Sequence, residues 1–288
     1  MISSIVSKQV ADRDQGKTVF FKIISYIIMV IMAVLVIYPL IFVIMTSLKT
    51  NEDVILNPFA MNTFCPSNYV NAWIEGHVGT YLGNSVIVTF SAVAVQTVLI
   101  ILASYAFGKL CPPGNKILFF LVLSGLFVTA EMTVVVVFSM LKSAGLVDTR
   151  LGVILPYIAM GLPMGIFILT NSVKGLPKEL DEAAIIDGAG TMKIMTKIDV
   201  PLLLPAIATV VVLNFQGVWS DFYYALIFIR SDAIKTLPLG LINFQSEYSS
   251  NYGVLSAGLV LLTLPILILY LAASKTFMQG MTAGAVKG

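Results

Sequence analysis

Residues 85–107 read SVIVTFSAVAVQTVLIILASYAF, a run without a charged side chain. Crossing about 30 Å of hydrocarbon takes roughly 20 helical residues, so a run of this length predicts one membrane-spanning helix. Five further runs have the same character, at 23–46, 117–141, 151–170, 202–228 and 254–273. The last four are interrupted by Glu131, Pro163, Asp221 and Pro265, and proline is tolerated where neighbouring helices satisfy the freed carbonyl. Strands of a membrane barrel would alternate in polarity over about 10 residues, which these runs do not. The expected fold is therefore all-α and polytopic, with six transmembrane helices. A cytoplasmic segment 1–22 should precede a membrane domain 23–278, and a tail 279–288 should follow it. The first run is longer than a signal-peptide core and lacks a small-x-small cleavage pattern, so it is expected to stay in the mature chain.

Composition narrows the function. Of 288 residues 58% are hydrophobic and 11% charged, with a mean hydropathy of +0.95. That is too little charge for the surface of a soluble domain, and too much oil for a disordered chain. A net charge of +2 leaves no basic surplus for a phosphate backbone, which argues against nucleic acid as a partner. The one histidine, His77, and two distant cysteines, Cys65 and Cys111, build neither a metal cage nor a disulfide framework. Most of the 17 lysines and arginines fall beside the two termini and in loops 108–116 and 171–201; Lys49, Lys142, Arg150, Arg230 and Lys235 fall opposite. The positive-inside rule then places both termini in the cytoplasm.

The loop between the fourth and fifth runs is too long for a plain connector. Its stretch Gly175-Leu-Pro-Lys-Glu-Leu-Asp-Glu-Ala-Ala-Ile-Ile-Asp-Gly-Ala-Gly190 places Pro177 near a helix start, with Glu179, Asp181 and Glu182 soon after. Both features suit a helix N-terminus. Gly188 and Gly190 are expected to end this helix in a left-handed turn, and Thr191 to cap a second one running into Pro201. Ala183 and Ala184 lack bulk, which lets a helix sit deep in a cleft of another protein.

Glu182-Ala183-Ala184, Asp187-Gly188-Ala189, Ile198 and Pro201 stand at the spacing of the EAA loop, here 175–202, and so the chain resembles ABC importer permeases. Thr46-Ser-Leu-Lys49, Asn84-Ser85, Gly145-Leu-Val-Asp-Thr149 with Leu155-Pro156, and Gly280 with the tail Gly284-Ala-Val-Lys-Gly288 resemble the carbohydrate-uptake, maltose-permease-like branch. Met195, Val200 and Ser220 depart from its usual residues; the first two still fill an apolar socket, and the short Ser220 bears on solute selection. The resemblance implies that Glu182, Ala183, Ala184, Asp187, Gly188, Ala189 and Pro201 couple the chain to ATPase subunits. It implies a second, non-identical permease subunit, two ATP-binding-cassette ATPases, a solute-binding protein outside, and a bacterial or archaeal plasma membrane. No cofactor is expected on this chain. ATP and Mg belong to the ATPases, because Gly16-Lys17-Thr18 has Ala11 where a phosphate loop needs glycine.

Inside the spans, Asn214, Gly217, Asp221 and Tyr224 recur at helical steps and are expected to share one polar face, with Trp219 and Tyr223 as an aromatic face beside it. With Glu131 these are the candidate pathway residues, since amides, acids and rings suit a sugar. Helix-to-helix bonding and headgroup anchoring are the competing reading. Gly161 and Gly165, flanking Pro163, read as close helix packing. In the outer loop 231–252, Asn243, Gln245 and Tyr248 are candidate contacts for the binding protein. The rival readings are an ABC permease for a non-sugar solute and a carrier driven by protons through Glu131.

Overall fold

The computed structural model describes residues 2–242 and 251–285, with side chains at 21–242 and 251–272. Among these residues fourteen α-helices follow one another: α1 Ile2–Ser47, α2 Asn51–Leu56, α3 Ser67–Ile74, α4 Val78–Tyr105, α5 Asn115–Ser124, α6 Ala130–Ser143, α7 Arg150–Lys174, α8 Lys178–Ile186, α9 Thr191–Ile194, α10 Val200–Leu202, α11 Leu204–Trp219, α12 Tyr223–Phe228, α13 Leu237–Gly240 and α14 Tyr252–Ala285. Among the described residues there is no strand. Two π-helical turns extend this frame, Ala106–Leu110 after α4 and Met195–Asp199 between α9 and α10.

Among the described residues four segments are long and apolar enough to span a bilayer unbroken: Phe21–Ser47, Val78–Leu110, Arg150–Lys174 and Tyr252–Ala272. Two bent pairs bring the total to six if each is one span. Pro39, Pro156, Pro163 and Pro265 all lie inside helices, as membrane helices permit. The charged N-terminal segment is continuous with the first span in α1, so no break marks residue 22, and Gly16-Lys17-Thr18 is helical rather than a phosphate-cradling loop.

Two runs expected to be single helices are broken. The third bends by 101° between Asn115–Phe127 and Ala130–Ser143, because Val128 and Thr129 are extended. Gly125 packs against Pro163 just before this bend; a Cβ there would stand 3.0 Å from the Pro163 ring. The fifth run ends its helix at Trp219, not at 228, and resumes as α12 after a break at 220–222. There the Ser220 hydroxyl donates back to the Gln216 carbonyl, and the Asp221 carboxylate accepts the Tyr224 N–H, as a helix-starting residue does.

The bundle is built on α4 and α7, which run parallel. Asn84 meets Arg150 at one end, Gln96 meets Tyr157 and Ser104 meets Ile166 in the middle, and Gly108 meets Val173 at the other end. Missing side chains make this approach possible: a Cβ on Gly161 would lie 2.2 Å from Gln96 Nε2, and one on Gly165 2.3 Å from Ile100 Cδ1. The small-residue reading of these glycines is what the geometry has. Helix α11 closes over both, burying Ile207, Val210 and Leu203 with Ile100, Ile166, Leu169 and Val173. Helix α14 then packs on α11 and α1. Along α1 the apolar side chains stay exposed, Val36 to 68%, a surface that only lipid or another apolar helix can cover favourably.

Candidate functional site

The EAA segment folds into two short helices at the end of the bundle where α7 stops. Pro177 precedes α8 in extended conformation, and Glu179 and Asp181 occupy the first turn, where the helix dipole favours negative charge. Gly188 ends α8 with φ +75°, a left-handed geometry that suits glycine. Two expectations need correction. Gly190 is extended and itself precedes α9, so Thr191 is the first residue of that helix, not its cap. Ala184 faces the chain's own body and is only 8% exposed, whereas Glu182, Ala183 and Asp187 are exposed, with Ile185 at 62% and Ile186 at 86%. The two alanines therefore differ in surroundings, about 100° apart around the helix: Ala184 lets α8 seat on this chain, and Ala183 belongs to the free face. Ala189 returns its N–H to the Ala184 carbonyl, Gly188 is exposed, and Pro201 is exposed in α10.

A side chain not singled out from the sequence ties this segment down. Lys109, on the π-turn after α4, donates to both Asp181 oxygens at 2.6 and 2.5 Å and to Asp199 Oδ1 at 2.6 Å. The three side chains are 13%, 22% and 1% exposed. Asp199 Oδ2 is buried without a partner.

The intramembrane candidates separate. Since the helix breaks at 220–222, Asn214 and Gly217 are not on one continuous face with Asp221 and Tyr224, and Trp219 and Tyr223 are not one aromatic face. Trp219 is 1% exposed, stacked on Phe215 at 5.4 Å and donating to the Leu262 carbonyl, which makes it a packing residue between α11 and α14, not a lining ring. Gly217 is exposed with open space about it. Glu131 is exposed in the first turn of α6, just past the bend of the third run.

Asp221 and Tyr224 do come together, within a polar chain that runs between four helices, α4, α6, α7 and α12. Tyr157 Oη donates to Asp221 Oδ1 at 2.7 Å, and the Tyr224 hydroxyl meets Thr133 Oγ1 at 3.2 Å. The Tyr157 carbonyl accepts Gln96 Nε2 at 2.6 Å. Gln96 is fully buried, and its Oε1 and the Asn214 Nδ2 are both without partners on either side of Gly161. Buried unsatisfied amides are rare in folded proteins, which sets this pair apart from the apolar packing around it.

At the opposite end, the stretches that resemble the carbohydrate branch turn out to be joints. Lys49 is fully buried and donates to the Asn57 and Pro58 carbonyls, and Asn68 donates to the carbonyls of Ser47 and Lys49. Burial would raise the Asp53 carboxyl, but bonds from the Thr63 hydroxyl, the Asn62 and Thr63 N–H groups and the Asn57 amide hold it below the usual range. Asn84 accepts from Arg150 and donates to the Ala233 and Lys235 carbonyls, while Ser85 accepts the Leu237 N–H. Asp148, at φ +62°, accepts from the Ser231 hydroxyl and from the N–H groups of Ser231 and Arg230, which lowers its pKa. Loop 229–241 is thereby fastened to the starts of α4 and α7. Asn243, Gln245 and Tyr248 lie outside the described residues. Cys65 and Cys111 are both free thiols.

Comparison with known proteins assigns this architecture. The family described as "Binding-protein-dependent transport system inner membrane component" matches residues 16–281. The diacetylchitobiose uptake system permease NgcG of Streptomyces coelicolor is 30% identical, over 93% of this chain and 89% of its own. The trehalose/maltose transport system permease MalG of Thermococcus litoralis is 33% identical, over 90% and 94%. Among solved structures, a chain of a bacterial ABC transporter that imports alginate superposes with a TM-score of 0.77 at 22% identity, over 90% of this chain and 96% of that one, which shows a common fold. The chain therefore belongs to the inner membrane components of binding-protein-dependent transport systems, the permease subunits of ABC importers.

Proposed function

We propose that this chain forms half of the translocation pathway of an importer for sugars or oligosaccharides and takes up the motion of two ATPase subunits through α8. The carbohydrate cargoes of its relatives support the substrate class. The observation that carries the coupling role is the two-sidedness of α8: Ala184 and Asp181 bind it to the bundle, while Glu182, Ala183, Ile185 and Ile186 stand free. A lever needs a rigid attachment and a close-fitting contact, and α8 has one on each side.

In this reading both termini and α8 lie in the cytoplasm, and ATP and Mg stay on the ATPases. Closure of the ATPases draws α8 inward and opens the pathway outward to receive solute; hydrolysis resets it. The fastened loop 229–241, with Asn243, Gln245 and Tyr248 beyond it, faces the solute-binding protein. Asn214, Gln96, Asp221 and Tyr224 supply polar groups along the path beside a second, related permease.

Reversal of charge on the free face is the test. In cells carrying the whole transporter, Glu182→Lys should lower sugar uptake by more than about tenfold, because a close interfacial charge pair becomes a repulsion. The chain should still reach the membrane. Unchanged uptake would overturn the coupling role. A panel of labelled oligosaccharides, polyamines and amino acids tests the cargo; uptake of a non-sugar alone would overturn the substrate class.

A further inference from the structure

We propose that Lys109 is a positioning residue for energy coupling: it locks α8 to the cytoplasmic end of α4, so that the two move as one body. The inference rests on reading α8 as the helix that docks on the ATPase.

The attachment joins segments remote in sequence. Lys109 reaches Asp181 on α8 and Asp199 on the way to α11, so one ammonium holds three pieces of backbone. By chain connectivity α8 follows α7 through Gly175, Leu176 and Pro177, which fixes where it starts but not how it is turned. The link to α4 supplies that second constraint. Both Lys109 and Asp199 lie on π-helical turns, which are rare and interrupt the regular α-helical ladder. Gly108 reinforces the joint: its missing side chain admits Val173, whose Cγ1 would lie 2.5 Å from a Cβ there, so the end of α7 is clamped to the same turn.

Charge makes the lysine decisive. The cluster holds two carboxylates and one ammonium, and Asp199 is 1% exposed with its second oxygen unpartnered. Removing the ammonium leaves two poorly hydrated carboxylates whose repulsion pushes α8 off the bundle. Salt screens a buried cluster of this kind only weakly. From the turn, motion passes along α4 to the Gln96–Tyr157 bond and the polar chain of the interior.

The test uses the complete transporter purified with its own ATPase subunits, carrying Cys65→Ser and Lys178→Cys. Nitroxide labels on the native, exposed Cys111 and on the cysteine introduced at position 178 report the separation of the π-turn from α8. With Lys109 or Lys109→Arg the separation should be narrowly distributed and the same without nucleotide and after trapping with Mg-ATP and vanadate. With Lys109→Met the distribution should be broader. A Lys109→Met distribution as narrow as the wild type, or a wild-type separation that changes on trapping, would overturn the proposal. Should the Lys109→Met chain not accumulate, Asp181→Asn is expected to be broad where Lys109→Arg is narrow, and equal widths would overturn it. The difference in nucleotide-free width between Lys109→Arg and Lys109→Met reads the triad within this chain, whereas Glu182→Lys uptake judges docking, so failure of one reading is distinguishable from failure of the other.

Discussion

Arg150 and Asn84 lock the ends of α7 and α4 that lie farthest from α8. The guanidinium donates to Asn84 Oδ1 at 2.8 and 3.3 Å, and the Asn84 amide donates onward to the Ala233 and Lys235 carbonyls. Asn84 is 3% exposed, so Asn84→Ala strands buried partners and should cost about 1–3 kcal/mol. Asn84→Asp keeps the acceptor for Arg150 and loses the two donor bonds, and should fall between. Melting temperature of the purified complex and protease cleavage within 229–241 measure both; an unaltered melt for Asn84→Ala refutes the lock.

That lock shows where sequence reading stops. Six apolar runs were legible because bilayer thickness imposes length and composition on each span separately. Helix α8 was legible because Pro177 and Gly188 are local signals. The breaks at 128–129 and 220–222 were not, since no composition change marks them. The first lies where Gly125 meets Pro163, and the second where Tyr157 captures Asp221, both contacts between distant segments. Lys109 looked like one of many cytoplasmic lysines, and Gln96 like one polar residue in an apolar run. Their partners come from other helices, 72 and 61 residues away. The side of α8 on which Ala184 falls likewise depends on how the helix is seated, which spacing within one loop does not encode.

Gly161 should tolerate no side chain. A Cβ would stand 2.2 Å from Gln96 Nε2, and the amide cannot retreat without giving up its 2.6 Å bond to the Tyr157 carbonyl. Gly161→Ala is therefore expected to destabilise by about 1–3 kcal/mol through overpacking. Gln96→Ala removes the obstruction, so the double variant should be more stable than the sum of the two losses implies. Strict additivity in thermal unfolding would show that the two sites do not touch.

The Asp148 joint should weaken in acid. The Ser231 hydroxyl first, then the Ser231 and Arg230 N–H groups, hold its carboxyl below the usual range. A group whose folded pKa is depressed contributes stability above its unfolded value, near 4, and loses it as pH falls through the folded value. Protection of the Arg230 and Ser231 amides, corrected for intrinsic exchange, should thus be constant from neutral pH to about 4 and decline below it. Asp148→Asn should be less protected throughout and lack the decline; an identical acid profile in the variant would assign the titration elsewhere.

The unequal exposure of Ala183 and Ala184 predicts two different failures from one kind of change. Ala183 is exposed, so Ala183→Trp should leave the chain's own stability within about 0.5 kcal/mol, while on the proposed docking of α8 the ring obstructs the ATPase contact. Recovery of ATPase subunits with the purified chain should drop by more than about tenfold, the scale of a blocked hot spot. Ala184 is 8% exposed, so Ala184→Trp forces the ring between α8 and the bundle and should cost about 1–3 kcal/mol. Its first symptom should be faster proteolysis within 175–190 even without ATPases present. Matching phenotypes for the two variants would show that the alanines are not divided between a free and a seated face, since successive residues stand about 100° apart around a helix and one surface then covers both.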